Sequence, residues 1–287
     1  MSTSTAPEYV LGTDAAELWR LGFQHRLWSS AAHEAWAKAR IAPGQSILDV
    51  GCGPGYATFD LAHIAGPMGR VVGVDESIPF IAHLNTSAQS RPAPTVRAYV
   101  GDVQAIADVL ARNTEPGEPS PLASFDIAYA RWVLCFVKDP EAVVRGVARL
   151  LKPGGRFVVQ DYFDYERMTL APKRREFSRI IDAVARSWRA RGGNPDLVGE
   201  LPAMMSRAGL RVTHLDSHNR MARPGSTIWN WPTTFWQSFV PRLVQMNEIT
   251  QSDADAFFAC WAEVSADPNA FMLLPPVFDV VAEKVSE

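Results

Sequence analysis

Residues 46–62 read "SILDVGCGPGYATFDLA". The first five have the length and branched, apolar composition of a buried strand, and an acid, Asp49, sits near its end. Gly51, Gly53 and Gly55 then alternate with Cys52 and Pro54, and from Tyr56 the apolar spacing becomes helical. A strand, a glycine turn and a helix in that order read as one crossover of a parallel sheet. Glycines beyond the carboxyl end of such a strand permit positive φ and let a ligand approach the backbone. The helix that follows presents unpaired N–H groups at its start.

The same alternation extends outward. "RVVGVD" (70–75), "TVRAYVGD" (95–102), "SFDIAYA" (124–130) and "RFVVQDY" (156–162) read as strands. Helices are expected at 56–65, 77–88, 103–111 and 139–151, the last with Asp139 as N-cap, Pro140 in its first turn and "KPGG" closing it. Near-continuous Val and Ile runs suit strands covered on both faces. Residues 13–40 read as helix; 171–193, 197–210, 226–249 and 252–266 add further helices, and 211–222 and 271–284 supply two later strands. The expected fold is α/β: a Rossmann-like, doubly wound, mostly parallel seven-stranded sheet with helices added at the N-terminus and in the C-terminal half. The expected organisation is a helical segment at 1–40, a ligand-binding core at 41–165, and at 166–287 the rest of the sheet with inserted helices capping the site.

Which ligand the loop takes depends on spacing. A dinucleotide loop runs GxGxxG, and here the sixth position is Tyr56; a phosphate-cradling GxxxxGK[ST] loop is also absent. Asp49, just ahead of the loop, would repel a diphosphate and attract a cation. Asp75 ends the second strand, where a carboxylate can accept from ribose hydroxyls.

"LDVGCGPG", the acid at Asp75, "GD" at 101–102 and "LLKPGGRFVV" resemble, in order, the motif series of class I S-adenosylmethionine-dependent methyltransferases. The resemblance runs from about residue 41 to 163 and is nearest to the small-molecule subgroup that includes the ubiquinone/menaquinone-biosynthesis enzymes; "YVLG" (9–12) and "ARWVLCFVKDPEAVV" (130–144) are similar to bacterial members. It implies methyl transfer from S-adenosylmethionine, leaving S-adenosylhomocysteine, to a small organic acceptor. It implies that Gly51 and Gly53, with Gly55 closing the turn, lie against the methionine part, that Asp49 takes its ammonium, and that Asp75 takes the ribose. It further implies that Asp102 accepts from the adenine amino group, that the Val103 N–H faces a ring nitrogen, and that Arg131 borders the methionine moiety through its backbone carbonyl. An N-terminal helix of this family can close over the cofactor, which brings in Tyr9 and Gln24. Two other readings stand beside this one: an NAD(P)-dependent oxidoreductase, disfavoured by Tyr56 and Asp49, and an S-adenosylmethionine-binding protein without turnover.

The catalytic candidates are few. Asp161 and Tyr162 lie at the end of the fifth strand, where an acceptor could lose a proton to them. His214 and His218, four apart on an expected strand, share one face; with no third ligand in view they do not argue a metal site. Trp229, Trp231, Phe235 and Trp236 cluster in "STIWNWPTTFWQSFVP", as a lid, a contact surface or, on the reading favoured here, core packing. The net charge of −3 gives no field for nucleic acid. No apolar run reaches the roughly 20 residues that span a bilayer. Three scattered cysteines fit neither zinc nor a disulfide framework and suit a reducing cytoplasm. A homodimer through the added helices is left open.

Overall fold

The computed structural model describes residues 15–90 and 95–285; Tyr9 lies outside them. The elements run α1 (Ala15–Lys38), β1 (Ser46–Val50), α2 (Tyr56–Ala65), β2 (Arg70–Asp75), α3 (Ile78–Gln89), β3 (Thr95–Val100), α4 (Ile106–Arg112), β4 (Phe125–Arg131), α5 (Pro140–Leu150) and β5 (Leu151–Tyr162). They continue as β6 (Thr169–Ala171), α6 (Arg175–Ala190), α7 (Leu201–Arg207), β7 (Leu210–His218), β8 (Met221–Ala222), α8 (Asn230–Gln245), α9 (Gln251–Ala266), β9 (Phe271–Leu273) and β10 (Val277–Lys284). Seven strands form one sheet in the order β3-β2-β1-β4-β5-β10-β7. The first five are mutually parallel, and β10 runs antiparallel to both β5 and β7.

The strand period of two decides what covers each face. Ile47, Val71, Tyr129 and Val158 point to one side, where they pack with Ala32, Ala35 and Trp36 of α1 and Leu61 of α2. Leu48, Val74, Ala130 and Val159 point to the other, into a larger cluster with α4, α5 and the C-terminal helices. Burial on both faces is why the central strands read as unbroken apolar runs. α3 begins at Ser77, whose hydroxyl caps the Phe80 N–H, and α5 begins at Asp139, which caps the Ala142 N–H.

The later elements are more broken than the sequence suggests. "KPGG" does not close α5: it lies inside β5, where the β4 pairing skips from Leu151 to Arg156. The helix expected at 171–193 starts only at Arg175, because Thr169–Ala171 form a strand and Pro172 follows. Residues 197–210 divide into a short 3₁₀ turn and α7, with Pro202 in the new first turn. The last strand is two strands: "PP" at 275–276 separates β9 from β10, since proline cannot donate to a ladder. β9 joins β6 and β8 in a small second sheet that the sequence did not reveal.

α6, α8, α9 and this small sheet make a cap with its own aromatic core. Trp236 is fully buried. Its ring meets Phe177, Phe235, Phe257 and Trp261 at centroid distances of 5.9, 5.1, 5.6 and 6.3 Å. Core packing is therefore a real part of that cluster's work. Trp236→Ala should cost about 3–5 kcal/mol of stability in urea unfolding; a loss below about 1 kcal/mol would show that Trp236 is not a packing centre.

Candidate functional site

A cavity of about 770 Å³ opens at the carboxyl ends of β1, β2 and β4 and runs under α1 and the cap. In an open parallel sheet this is where adjacent strands feed crossovers to opposite faces. Its volume lies within the usual range for small-molecule sites.

One end is polar and mostly acidic. Asp49, Gly51, Gly53, Asp75, Asp102 and Val103 all line it. Gly51, Gly53 and Gly55 hold φ of 66°, 52° and 94°, which only glycine adopts without strain. A Cβ on Gly51 would stand 2.3 Å from a Val133 methyl carbon, whereas one on Gly53 would meet nothing within 4 Å. Gly55 caps α2 against Leu84 and is not part of the cavity wall. The Asp75 carboxylate accepts from the Gly53 N–H at 2.9 Å and the Ser77 N–H at 2.8 Å, tying the glycine turn to the end of β2. Asp102 accepts from the Gln104 backbone and side-chain amides.

Burial governs the charges here. Asp49 is 2 % exposed and its carboxyl is pushed up to about 7, against the opposing pull of the Thr58 hydroxyl, which donates to it at 2.6 Å, and of Arg131. Burial also raises Asp75, and the two backbone amides oppose it. Two buried carboxyls are thus held beside one cavity at an electrostatic cost that a bound cation would relieve.

α1 roofs this end. The Tyr56 hydroxyl, at the position where a dinucleotide loop has its third glycine, donates to the Leu18 carbonyl at 2.8 Å. Gly22 makes room for that ring: a Cβ there would stand 2.9 Å from Tyr56 Cζ. Gln24 reaches the cavity and its amide oxygen accepts from the Trp231 indole at 2.8 Å, joining α1 to the cap. His25, not picked out as a site residue from the sequence, bridges Asp60 and the Arg131 guanidinium. Arg131 lines the cavity, and its guanidinium is held by His25.

The other end is aromatic. Trp132, Tyr162, Trp188, Trp231, Phe235 and Trp236 contribute to its wall. Trp132 holds a left-handed φ of 52°, uncommon outside glycine, and its N–H donates to the Gln160 carbonyl. Its ring lies near-parallel to those of Trp231 and Tyr162, at 5.9 and 6.1 Å. These walls come from segments far apart in sequence, and only the "STIWNWPTTFW" aromatics gave a local signal.

The three catalytic candidates are not brought together. Tyr162 lines the cavity, with its phenol raised well above 10 by burial. Asp161 is fully buried outside it: its carboxylate accepts from the Cys135 and Tyr162 N–H groups, and burial raises it to about 6. His214 stands on the outer strand β7, away from the cavity wall. His218 pairs with Asp279 at 2.7 Å, in a polar chain with Gln160 and Tyr129. Among the described residues there is no group of three or more metal-ligating side chains.

A family model described as "Methyltransferase domain" matches residues 41–204. A 2-phytyl-1,4-naphtoquinone methyltransferase of Synechococcus elongatus is 32% identical over 156 residues, 54% of this chain and 59% of that protein. Nocamycin O-methyltransferase of Saccharothrix syringae is 36% identical over 114 residues, 40% of this chain and 36% of that protein. The chain thus spans between about a third and three fifths of these curated relatives. Among solved structures, geranyl diphosphate C-methyltransferase from Streptomyces coelicolor shares the fold at a TM-score of 0.55 and 17% identity, over 91% of this chain and 77% of that one. The chain belongs to the methyltransferase-domain family, of the class I S-adenosylmethionine-dependent kind.

The raised Asp49 carboxyl has a consequence for stability. A carboxyl whose folded pKa exceeds its unfolded value favours the fold below about 3.8 and disfavours it as pH rises through about 7. Asp49→Asn should therefore raise the melting temperature of the ligand-free protein more at pH 8 than at pH 5.5. An equal or smaller gain at pH 8 would show that Asp49 titrates normally.

Proposed function

We propose that this methyltransferase-domain chain moves a methyl group from S-adenosylmethionine to a small organic acceptor. The observation that carries the reading is the pairing of two unlike ends in one cavity: strand-end acids around a glycine turn, then an aromatic chamber beneath the cap. The acids suit a cationic, amino-acid-bearing nucleoside. The turn has no basic side chain to neutralise a diphosphate, and Tyr56 is engaged in holding α1. The residues therefore fit S-adenosylmethionine better than a dinucleotide.

In this reading Gly51 and Gly53 lie along the methionine part, with Gly55 shaping the turn, and Asp49 takes the ammonium. Asp75 keeps its two backbone amides and offers its remaining lone pairs to the ribose; Asp102 and Val103 take the adenine edge. Gln24 and α1 close the cofactor end, residues 166–287 enclose the acceptor, and residues 41–165 form the binding core. When bound, the sulfonium supplies an activated methyl carbon and becomes a neutral thioether as that carbon leaves. The chain's part is to align the acceptor atom with the methyl and to exclude water.

Proton handling follows from the chamber's composition. Tyr162 stays neutral at working pH, so it donates a hydrogen bond and does not act as base. Asp161 and His214 lie outside the cavity wall. The acceptor atom then enters already deprotonated or loses its proton to a cavity group other than these three. The names of the relatives fit a small acceptor: a naphthoquinone for one, an antibiotic for another. Three buried cysteine thiols suit a cytoplasmic setting, and no described helix is long and apolar enough to cross a membrane.

The test combines turnover with one substitution. The parent should release S-adenosylhomocysteine and add one methyl to an acceptor from a panel of small apolar and aromatic compounds, read by mass spectrometry. Asp75→Ala should weaken S-adenosylmethionine binding about 10- to 100-fold in calorimetry. Unchanged affinity would remove Asp75 from the ribose role.

A further inference from the structure

Tyr162 ends β5, and Tyr165 stands in the 3₁₀ turn Tyr165–Arg167 that follows. Both line the aromatic end of the cavity, and they are only 7 % and 3 % exposed. The other two cavity tyrosines use their hydroxyls inside the protein: Tyr56 donates to the Leu18 carbonyl and Tyr129 to the Gln160 side-chain oxygen. Those of Tyr162 and Tyr165 have no hydrogen-bond partner among the described residues. They also differ from the Trp132 and Trp236 indole N–H groups, which are unpartnered but sealed off without accessible surface. The two phenol oxygens keep theirs, and it opens into the chamber.

The pair is held in place before any ligand arrives. Arg189 donates to both Glu166 oxygens at 2.7 and 2.8 Å and to Asp196 at 2.7 Å, which fastens the turn carrying Tyr165 to the end of α6. The adjacent Trp188 sets its ring 4.7 Å from that of Tyr165 and 6.0 Å from that of Tyr162. The two phenol rings meet edge to face at 5.2 Å. Burial raises both phenols, Tyr162 well above 10, so each keeps its proton and offers an O–H. A buried O–H without an acceptor is costly. The surrounding rings offer none, so the oxygen has to come with the ligand.

We infer that Tyr162 and Tyr165 form an oxygen-binding subsite of the chamber, which selects aromatic acceptors whose ring carries a hydrogen-bond-accepting oxygen such as a carbonyl. The inference rests on the methyltransferase reading above and narrows its acceptor to a class. The Trp132 and Trp188 rings, 6.1 and 6.0 Å from Tyr162, suit an aromatic body, and the two O–H groups fix how that body is turned. The phenols keep their protons throughout; their part is to hold and aim the acceptor.

Two probes isolate the subsite. 1-Indanone and indane share one bicyclic body and differ by a single carbonyl. In calorimetry with S-adenosylhomocysteine bound, Tyr162→Phe and Tyr165→Phe should each weaken 1-indanone about 3- to 10-fold. Indane, and S-adenosylhomocysteine itself, should stay within about twofold. Neither substitution should lower the melting temperature of the ligand-free protein, because each removes a hydroxyl that has no internal partner. Equal losses for both probes would make the phenols mere packing, unchanged 1-indanone affinity would make them idle, and a lowered melting temperature would reveal an internal partner; each result overturns the subsite. A parent protein that binds S-adenosylhomocysteine but not 1-indanone also overturns it and leaves the cofactor reading standing. Failure to bind S-adenosylhomocysteine overturns that reading as well.

Discussion

The parting of the chain at β1 and β4 is the constraint from which the rest follows. Parallel strands must be joined by right-handed crossovers, and the strand order β3-β2-β1-β4-β5 sends them to opposite faces on either side of this pair. No crossover can then cover the carboxyl ends of β1 and β4, and a crevice is left there. Gly51 turns the chain away from the crevice floor at a φ of 66°, with Val133 packed so tightly behind it that no side chain fits. The helices that roof the crevice come from elsewhere: α1 from before the sheet, the cap from after β5.

Electrostatics then selects the occupant. Asp49 and Asp75 are buried near one another, and desolvation raises both. Such a cleft disfavours a phosphate and favours a positive ligand. The aromatic end answers a different need, offering apolar area and water exclusion in place of charge. On the reading proposed above, having both in one cavity lets a charged methyl donor and an apolar acceptor meet.

The sequence carried the parts whose interactions are local. The glycine turn, the Asp139 cap and the strand segments themselves are all set by residues within a few positions of each other. It missed what long-range packing decides. The Arg131–His25–Asp60 relay joins residues up to 106 positions apart, and nothing near His25 marks it as more than one polar side chain on a helix. The aromatic chamber draws on segments from Trp132 to Trp236, so its wall appears only once the cap has folded. Asp161 illustrates the reverse error. Its position at the end of β5 suggested chemistry, yet its two backbone hydrogen bonds make it a brace for the Cys135 turn.

The most direct test of the central claim is calorimetric titration of the ligand-free protein with S-adenosylmethionine and S-adenosylhomocysteine, with NADH as the control. Saturable one-site binding of both sulfur ligands, with no heat from NADH, is the predicted result. Tight NADH binding with none of either sulfur ligand would contradict the account and return the cavity to a dinucleotide.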